Sequence, residues 1–254
     1  MSWPRVFTGI VGLKPGDKVT LDGADSRHLV KVLRLSSGDQ FELVSEARLY
    51  LASLRVADSR EAEAEVLVEL PKESEPELEV VLVQGLPKGD KMDLIVQKAT
   101  ELGVSAVIPL EVERSVVHYS GDKARKKVER WQKIAREAAK QSGRLKIPQV
   151  SQVMGLTELA RDVQFWEGLH ILAWEGAAKP LKEILRTGAE RPKRVVIYIG
   201  PEGSFSDSER ELILSKGAEA VSLGPRILRT ETAGIALTSM IMYEYDQIKV
   251  QREE

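Results

Sequence analysis

The chain contains no cysteine, so disulfides, thiolate nucleophiles and thiolate metal sites are excluded, as suits a reducing compartment. No apolar run approaches the roughly 18 residues of a membrane-spanning helix, and Met1-Ser2-Trp3-Pro4-Arg5 lacks the pattern of an export signal. A soluble, cytoplasmic protein is expected. The three histidines, His28, His118 and His170, are far apart and show neither His-x-x-x-His nor His-x-x-Glu spacing, so no metal site is expected. His170, inside an apolar run, reads as a core residue rather than a base. No Gly-x-Gly-x-x-Gly follows a strand pattern. The segment Gly85-Leu86-Pro87-Lys88-Gly89-Asp90-Lys91 has three residues between its glycines and no Gly-Lys-Ser/Thr, which argues against ATP hydrolysis. Ser204 and Ser206 lack the Gly-x-Ser-x-Gly elbow of a serine hydrolase. There is no internal repeat and no low-complexity tract.

What is present begins with 254 residues, enough for two domains, and a net charge of -2 that is unevenly spread. Between Lys123 and Lys146 ten Lys or Arg residues face two acids, while Glu61 to Glu79 has the opposite balance. The basic stretch is either a solvated helix face or a phosphate-binding stripe. Helical spacing puts Lys126, Arg130 and Lys133 near one face, extended by Lys123 and Lys140, with Trp131 turned inward.

The N-terminal third reads as β-rich: Lys18 to Leu21, Gln40 to Val44, Leu49 to Val56 and Ala62 to Leu70 are short and bounded by turn signals. The last alternates acid and apolar residues like an edge strand. A short helix over Asp25 to Leu35 completes what looks like a small barrel. Pro71-Lys72-Glu73-Ser74-Glu75-Pro76-Glu77 marks a linker, so domains at 1–72 and 73–254 are expected. Beyond it strands alternate with helices: Leu78 to Gln84, Ala106 to Leu110, Leu169 to Trp174, Arg194 to Ile199 and Ala220 to Leu223 read as buried strands. Helices ending at Gly103 and Gly143, a capping box from Ser206 to Glu209, and a last helix with Ala233, Ala236, Leu237, Met240 and Tyr243 or Glu244 inward fill the intervals. The pattern is α/β with a mainly parallel sheet.

Two strand runs end in unusual loops, Ile199-Gly200-Pro201-Glu202-Gly203 and Leu223-Gly224-Pro225-Arg226-Ile227-Leu228-Arg229-Thr230-Glu231-Thr232-Ala233. Strand ends side by side, with glycines and a helix start, predict one pocket rich in backbone donors. Such a pocket suits a cofactor that carries its own reactivity, for example a sulfonium methyl donor.

These loops, together with Arg27-His28-Leu29-Val30-Lys31-Val32-Leu33-Arg34-Leu35, Lys88-Gly89-Asp90-Lys91-Met92-Asp93, Gln97 to Val104, Glu113-Arg114-Ser115-Val116 and Arg130 to Arg144, resemble the RsmE-type methyltransferases of small-subunit ribosomal RNA, in the SPOUT superfamily. The resemblance runs through nearly the whole chain in the family's order. It implies an N-terminal PUA-like RNA-binding β-barrel, a C-terminal α/β domain with a trefoil-knotted parallel sheet, a homodimer, and transfer of methyl from S-adenosylmethionine to N3 of one uridine in 16S ribosomal RNA. The loops near Gly200 and Gly224 and the helix from Thr232 to Asp246 would then lie near the two-fold interface.

By that resemblance the cofactor-binding residues are Trp174, Glu175, Gly176, Ile199, Gly200, Pro201, Glu202, Gly203, Leu223, Gly224, Ile227, Leu228, Thr230, Thr232 and Ala233. N3 of uracil is protonated at neutral pH, so methylation needs an anion stabiliser and a proton acceptor. Arg229 and Glu231 fit these roles, although an ion pair between them is an alternative reading. Arg114, Gln141 and Arg144 are candidates for holding the nucleotide, and Arg27, Lys31 and Arg34 for contacting RNA, with Lys126, Arg130 and Lys133 as the basic stripe. Ser204 stands where the family commonly has a second glycine, so no positive φ is expected there; Glu46-Ala47 replaces a common Asp-Gly turn. A non-catalytic RNA-binding or ribosome-assembly protein of the same fold, and a SPOUT enzyme for another RNA site, are the competing readings.

Overall fold

Alternating strands and continuous apolar strands fold into two separate sheets, in a computed structural model that describes residues 3–71, 75–187 and 190–248. The chain divides into two units, residues 1–75 with 139–146, and 76–138 with 147–254. Lys72, Glu73 and Ser74, and with them the expected boundary at 72/73, lie outside the described residues.

The first unit contains β1 (Arg5–Phe7), β2 (Lys18–Thr20), α1 (Gly23–Arg27), a π-helical turn His28–Val32, β3 (Gln40–Ser45), β4 (Arg48–Val56) and β5 (Glu63–Leu70). Its sheet order is β1-β3-β4-β5-β2, curled around Leu29, Phe41, Leu43, Tyr50, Leu54 and Val66. β5 is therefore an inner strand between β4 and β2, not an edge, because β2 pairs with its acidic first half. β1, three residues behind Pro4, is too short to show a period and went unforeseen. The helix expected over Asp25 to Leu35 is shorter and splits: Asp22 caps its start by accepting from the amides of Ala24 and Asp25, and it widens to π geometry before Leu33. Glu46 and Ala47 both take positive φ, 48° and 59°, in the turn between β3 and β4.

Two residues expected to face RNA are instead paired within this unit, Arg144 buried and Lys140 partly so. Arg144 donates to Glu75 (Nη2 to Oε2, 2.7 Å), and that carboxylate also accepts from the amides of Leu145 and Lys146. Lys140 Nζ lies 2.7 Å from Asp25, with side chains 11% and 4% exposed. A buried charge requires such a partner, which takes Arg144 out of the nucleotide-holding set and Lys140 out of the stripe.

The second unit contains β6 (Glu79–Gly85), α2 (Lys91–Glu101), β7 (Ala106–Glu111), α3 (Gly121–Ser142, its last turn counted with the first unit), β8 (Gln149–Val150), β9 (Met154–Gly155), α4 (Leu156–Leu159), β10 (Leu169–Ala173), α5 (Leu181–Arg186), β11 (Arg194–Ile199), α6 (Asp207–Ser215), β12 (Glu219–Val221) and α7 (Thr230–Glu244). The strands form one parallel sheet, β12-β10-β11-β6-β7-β8, with β9 also on β7. Alternate residues feed opposite cores: Val80, Leu82, Ile197 and Ile199 on one face, Val81, Val83, Val196 and Tyr198 on the other. Both faces are covered, so the strands read as unbroken apolar runs. α7 turns Gly234, Leu237, Thr238, Ile241 and Met242 inward, whereas Met240 and Tyr243, expected inside, are 46% and 74% exposed. The helix is apolar nearly all round, so its period could not select a face. His170 is a core residue, 2% exposed, stacked on Trp166.

Candidate active site

The C-terminal ends of β10, β11 and β12 open into three loops that line one cavity of about 570 Å³. The two glycine-ended strands are not neighbours, since β10 lies between β11 and β12 and contributes its own loop. Loop positions follow from close backbone approach. A Cβ on Gly85, at the end of β6, would stand 2.5 Å from Pro201, and one on Gly203 would stand 2.9 Å from the Arg114 carbonyl oxygen. Glycine is what lets these segments touch.

Ser204 corrects an expectation: its φ is +60°. Its amide closes a turn onto the Pro201 carbonyl at 2.9 Å, and the left-handed residue then redirects the chain so that Phe205 enters the core and Ser206 caps α6 through the capping box. A serine there costs roughly 1 kcal/mol relative to glycine, and the turn requires it.

The loop after β10 carries Trp174, whose ring faces the Arg210 guanidinium at 4.6 Å. Gly176 lies against that ring, where a Cβ would come within 2.4 Å. In the loop after β12, no described residue accepts from the amides of Ile227 and Leu228, leaving these donors available to a ligand.

The start of α7 joins the loops. Thr230 donates its hydroxyl to the Gly200 carbonyl at 2.6 Å and accepts from Gln84 Nε2 at 2.9 Å. Arg229, the N-cap, is exposed and its guanidinium has no partner among the described residues. Glu231 does not pair with it. Its carboxylate is 14% exposed and lies 3.3 Å from Lys91 Nζ, which also binds Glu202 at 2.7 Å. Hydrogen bonding to Glu202 raises the Lys91 pKa, with Glu231 adding to it and partial burial opposing it. Partial burial alone would push the Glu202 carboxyl up; Lys91 and the amides of Glu202 and Lys88 outweigh this and hold it below the usual carboxylate value.

Of the expected cofactor residues, Trp174, Glu175, Ile199, Gly200, Pro201, Glu202, Leu223, Gly224, Ile227, Leu228, Thr230 and Ala233 line the cavity. Gly176, Gly203 and Thr232 do not: the first two shape the loops from behind, and Thr232 is exposed. Ala173, Ser204, Ser222, Pro225 and Arg226 also line it. They lie in the same loops or, for Ala173, at the end of β10, but no residue chemistry marks them. Lys91 and Gln84 were also missed as site residues, since nothing in the linear sequence says which carboxylate or hydroxyl they reach.

Among the residues expected to meet RNA, Arg27, Lys31 and Arg34 are exposed and free of partners among the described residues. Arg114 is exposed beside Gly203. Lys126, Arg130 and Lys133 are exposed along α3, with Arg130 paired to Asp93, and Gln141 is exposed. Among the described residues no three or more His, Asp or Glu converge as a metal site, and no helix is long and apolar enough to cross a membrane.

A family model for an RNA methyltransferase domain matches residues 74–242, and one for an RNA methyltransferase PUA domain matches residues 21–67. The chain is 36% identical, over 91% of both chains, to ribosomal RNA small subunit methyltransferase E of Bacillus subtilis (strain 168). It is similar in structure to a ribosomal RNA small subunit methyltransferase E from Neisseria gonorrhoeae bound to S-adenosyl methionine, with a TM-score of 0.84, 32% identity, and 95% and 97% of the two chains covered. A Legionella pneumophila protein solved with the cofactor SAM matches with a TM-score of 0.87 at 30% identity, covering 96% and 98%.

Proposed function

Since this chain belongs to the RNA methyltransferase family, we propose that it methylates N3 of one uridine in 16S ribosomal RNA, with S-adenosylmethionine as the methyl donor. The cavity at the ends of β10, β11 and β12 fits that cofactor. Its size falls within the usual range of about 300–1,000 Å³ for small-molecule sites. Its lining carries the carboxylate of Glu175, that of Glu202, which is paired with Lys91, and the guanidinium of Arg226. Bound there, S-adenosylmethionine supplies an electrophilic methyl group.

The protein's own part is to orient the base and manage its proton. One observation carries this reading: at the start of α7 an arginine without a partner among the described residues, Arg229, stands two residues before Glu231, whose carboxylate is ion-paired with Lys91. Arg229 stabilises the negative charge that develops on uracil when N3 loses its proton. Glu231, kept in place by Lys91, accepts that proton directly or through water. Arg114, next to the Gly203 loop, holds the nucleotide, and Gln141 contacts the RNA.

The RNA partner, probed within the small ribosomal subunit, meets Arg27, Lys31 and Arg34 and the α3 face of Lys126, Arg130 and Lys133. The exposed apolar side of α7, Met240 and Tyr243, with Leu94 on the adjoining α2 at 42% exposure, supports a homodimer. A cytoplasmic location follows from the substrate.

Calorimetry with S-adenosylmethionine and its demethylated product, with and without a chelator, followed by nucleoside analysis of 16S ribosomal RNA from cells lacking the protein, tests the reading. Expected are binding that ignores the chelator and loss of one N3-methyluridine. Absence of cofactor binding, or an intact N3-methyluridine, overturns it.

A further inference from the structure

Gln84 is the one buried polar side chain of β6, 0% exposed in a strand whose other buried side chains are valine and leucine. Its amide nitrogen has two hydrogens and both are used, one on Thr230 Oγ1 at 2.9 Å and one on the Gly85 carbonyl at 3.0 Å. Thr230 has a single hydroxyl hydrogen and gives it to the Gly200 carbonyl at 2.6 Å. The direction of the chain is therefore set. Thr230 can only accept from Gln84, and the Gly85 carbonyl can only accept, so Gln84 must present NH₂ and not oxygen to both.

The cost falls on the other end of the amide. Gln84 Oε1 is buried without a hydrogen-bond partner, facing Gly234 of α7, where a Cβ would stand 3.3 Å from it. An unpaired buried acceptor is unfavourable, and a hydrophobic residue would fill this strand position without that penalty. Local rules broken in this way mark function more often than stability.

Gly200 and Thr230 both line the cavity, and Gln84 does not. We propose that Gln84 is a positioning residue for cofactor binding: through Thr230 it ties the start of α7 to the loop after β11, so that the two walls of the pocket stand at their binding separation before the ligand arrives. Gln84 touches no ligand itself. Its effect is preorganisation, which appears in affinity more than in the chemical step. The inference rests on the S-adenosylmethionine reading above.

The test compares wild type with Gln84→Met, which keeps volume but removes the donor, Thr230→Val, and the double variant. Calorimetry gives S-adenosylmethionine Kd, single-turnover methylation gives the rate at saturating cofactor, and thermal unfolding reports stability. Gln84→Met is expected to weaken cofactor binding about tenfold while the saturated rate stays within about twofold, the loss expected of one hydrogen bond realised in binding. Because both residues belong to one relay, the double variant should bind about as weakly as the worse single variant. Thr230→Ser, which keeps the hydroxyl, should bind more tightly than Thr230→Val.

An unchanged Kd in folded Gln84→Met, additive losses in the double variant, or a loss that merely tracks the unfolded fraction would overturn the proposal. Should Gln84→Met fail to fold, the Thr230→Ser and Thr230→Val pair decides, and equal affinities count against the relay. Wild type that fails to bind the cofactor would instead refute the functional reading on which this one stands.

Discussion

Arg229 and Glu231 are two residues apart, yet one is exposed and unpaired and the other is nearly buried and held by Lys91. That difference suits a mobile anion stabiliser and a fixed proton acceptor. Arg229→Ala and Glu231→Gln are each expected to lower the single-turnover methylation rate about 100-fold or more, with cofactor affinity changed far less. A near-normal rate removes the assigned role, and a parallel loss of affinity makes the residue a cofactor ligand. His170 yields a separate prediction. Burial pushes its pKa below 6.5, the charge of Arg194 adds to this, and the hydrogen bond to the Glu167 carbonyl opposes it. The Glu167 carbonyl can only accept, which puts the hydrogen of the neutral imidazole on Nε2; Nδ1 is then left to accept from the Tyr198 hydroxyl at 3.0 Å. The unfolded chain takes up a proton near pH 6.5 that the native state refuses. Stability from this residue is thus complete above about pH 6.5 and declines as the pH falls from there toward the lower folded value. In denaturant titrations across that window, His170→Gln should lose less stability than wild type between about pH 6.5 and pH 5.5; identical slopes would refute the buried neutral histidine.

At the scale of the element, α3 looks uniformly basic in sequence but serves different purposes along its length. Lys126, Arg130 and Lys133 face solvent, while Lys140 pairs its charge with Asp25. Charge reversal of Lys126, Arg130 and Lys133 should weaken RNA binding and flatten its salt dependence by about 0.7 in log–log slope for each phosphate no longer neutralised. Arg130, already paired with Asp93, contributes the least. Cofactor affinity should not move, and an unchanged slope in filter binding across salt would make this face merely solvated. Lys140→Ala, by contrast, should destabilise the protein by about 3 kcal/mol by removing a cation from beside the buried Asp25 carboxylate, an effect read in denaturant unfolding rather than in salt slope.

For the whole molecule, the exposed side of α7 is the feature that single-chain packing leaves unexplained. Met240 and Tyr243 lie outside the core on a helix whose other side is fully packed. Met240→Glu with Tyr243→Glu is expected to give a monomer in light scattering at concentrations where wild type is a dimer, with a lowered thermal midpoint that no longer depends on protein concentration. Methylation should fall with dimerisation if the partner helps complete the site. A fully active monomer would separate assembly from catalysis.

Sequence by itself determined the element types wherever a local rule applied. Unbroken apolar runs marked β6, β7, β10 and β11 because both faces of a parallel sheet are buried, and helix ends were legible at Gly103 and Gly143, both with positive φ. The loops of the cavity were readable for the same reason, as glycine and proline at strand ends carry a backbone meaning. Tertiary structure alone decided which side chains meet. Nothing local says that Arg144 reaches Glu75, Lys91 reaches Glu231, or Gln84 reaches Thr230, pairs separated by 69, 140 and 146 positions. It also decided the face of α7, the inner place of β5 and the left-handed Ser204, because burial against distant segments and the path of a turn override local preference.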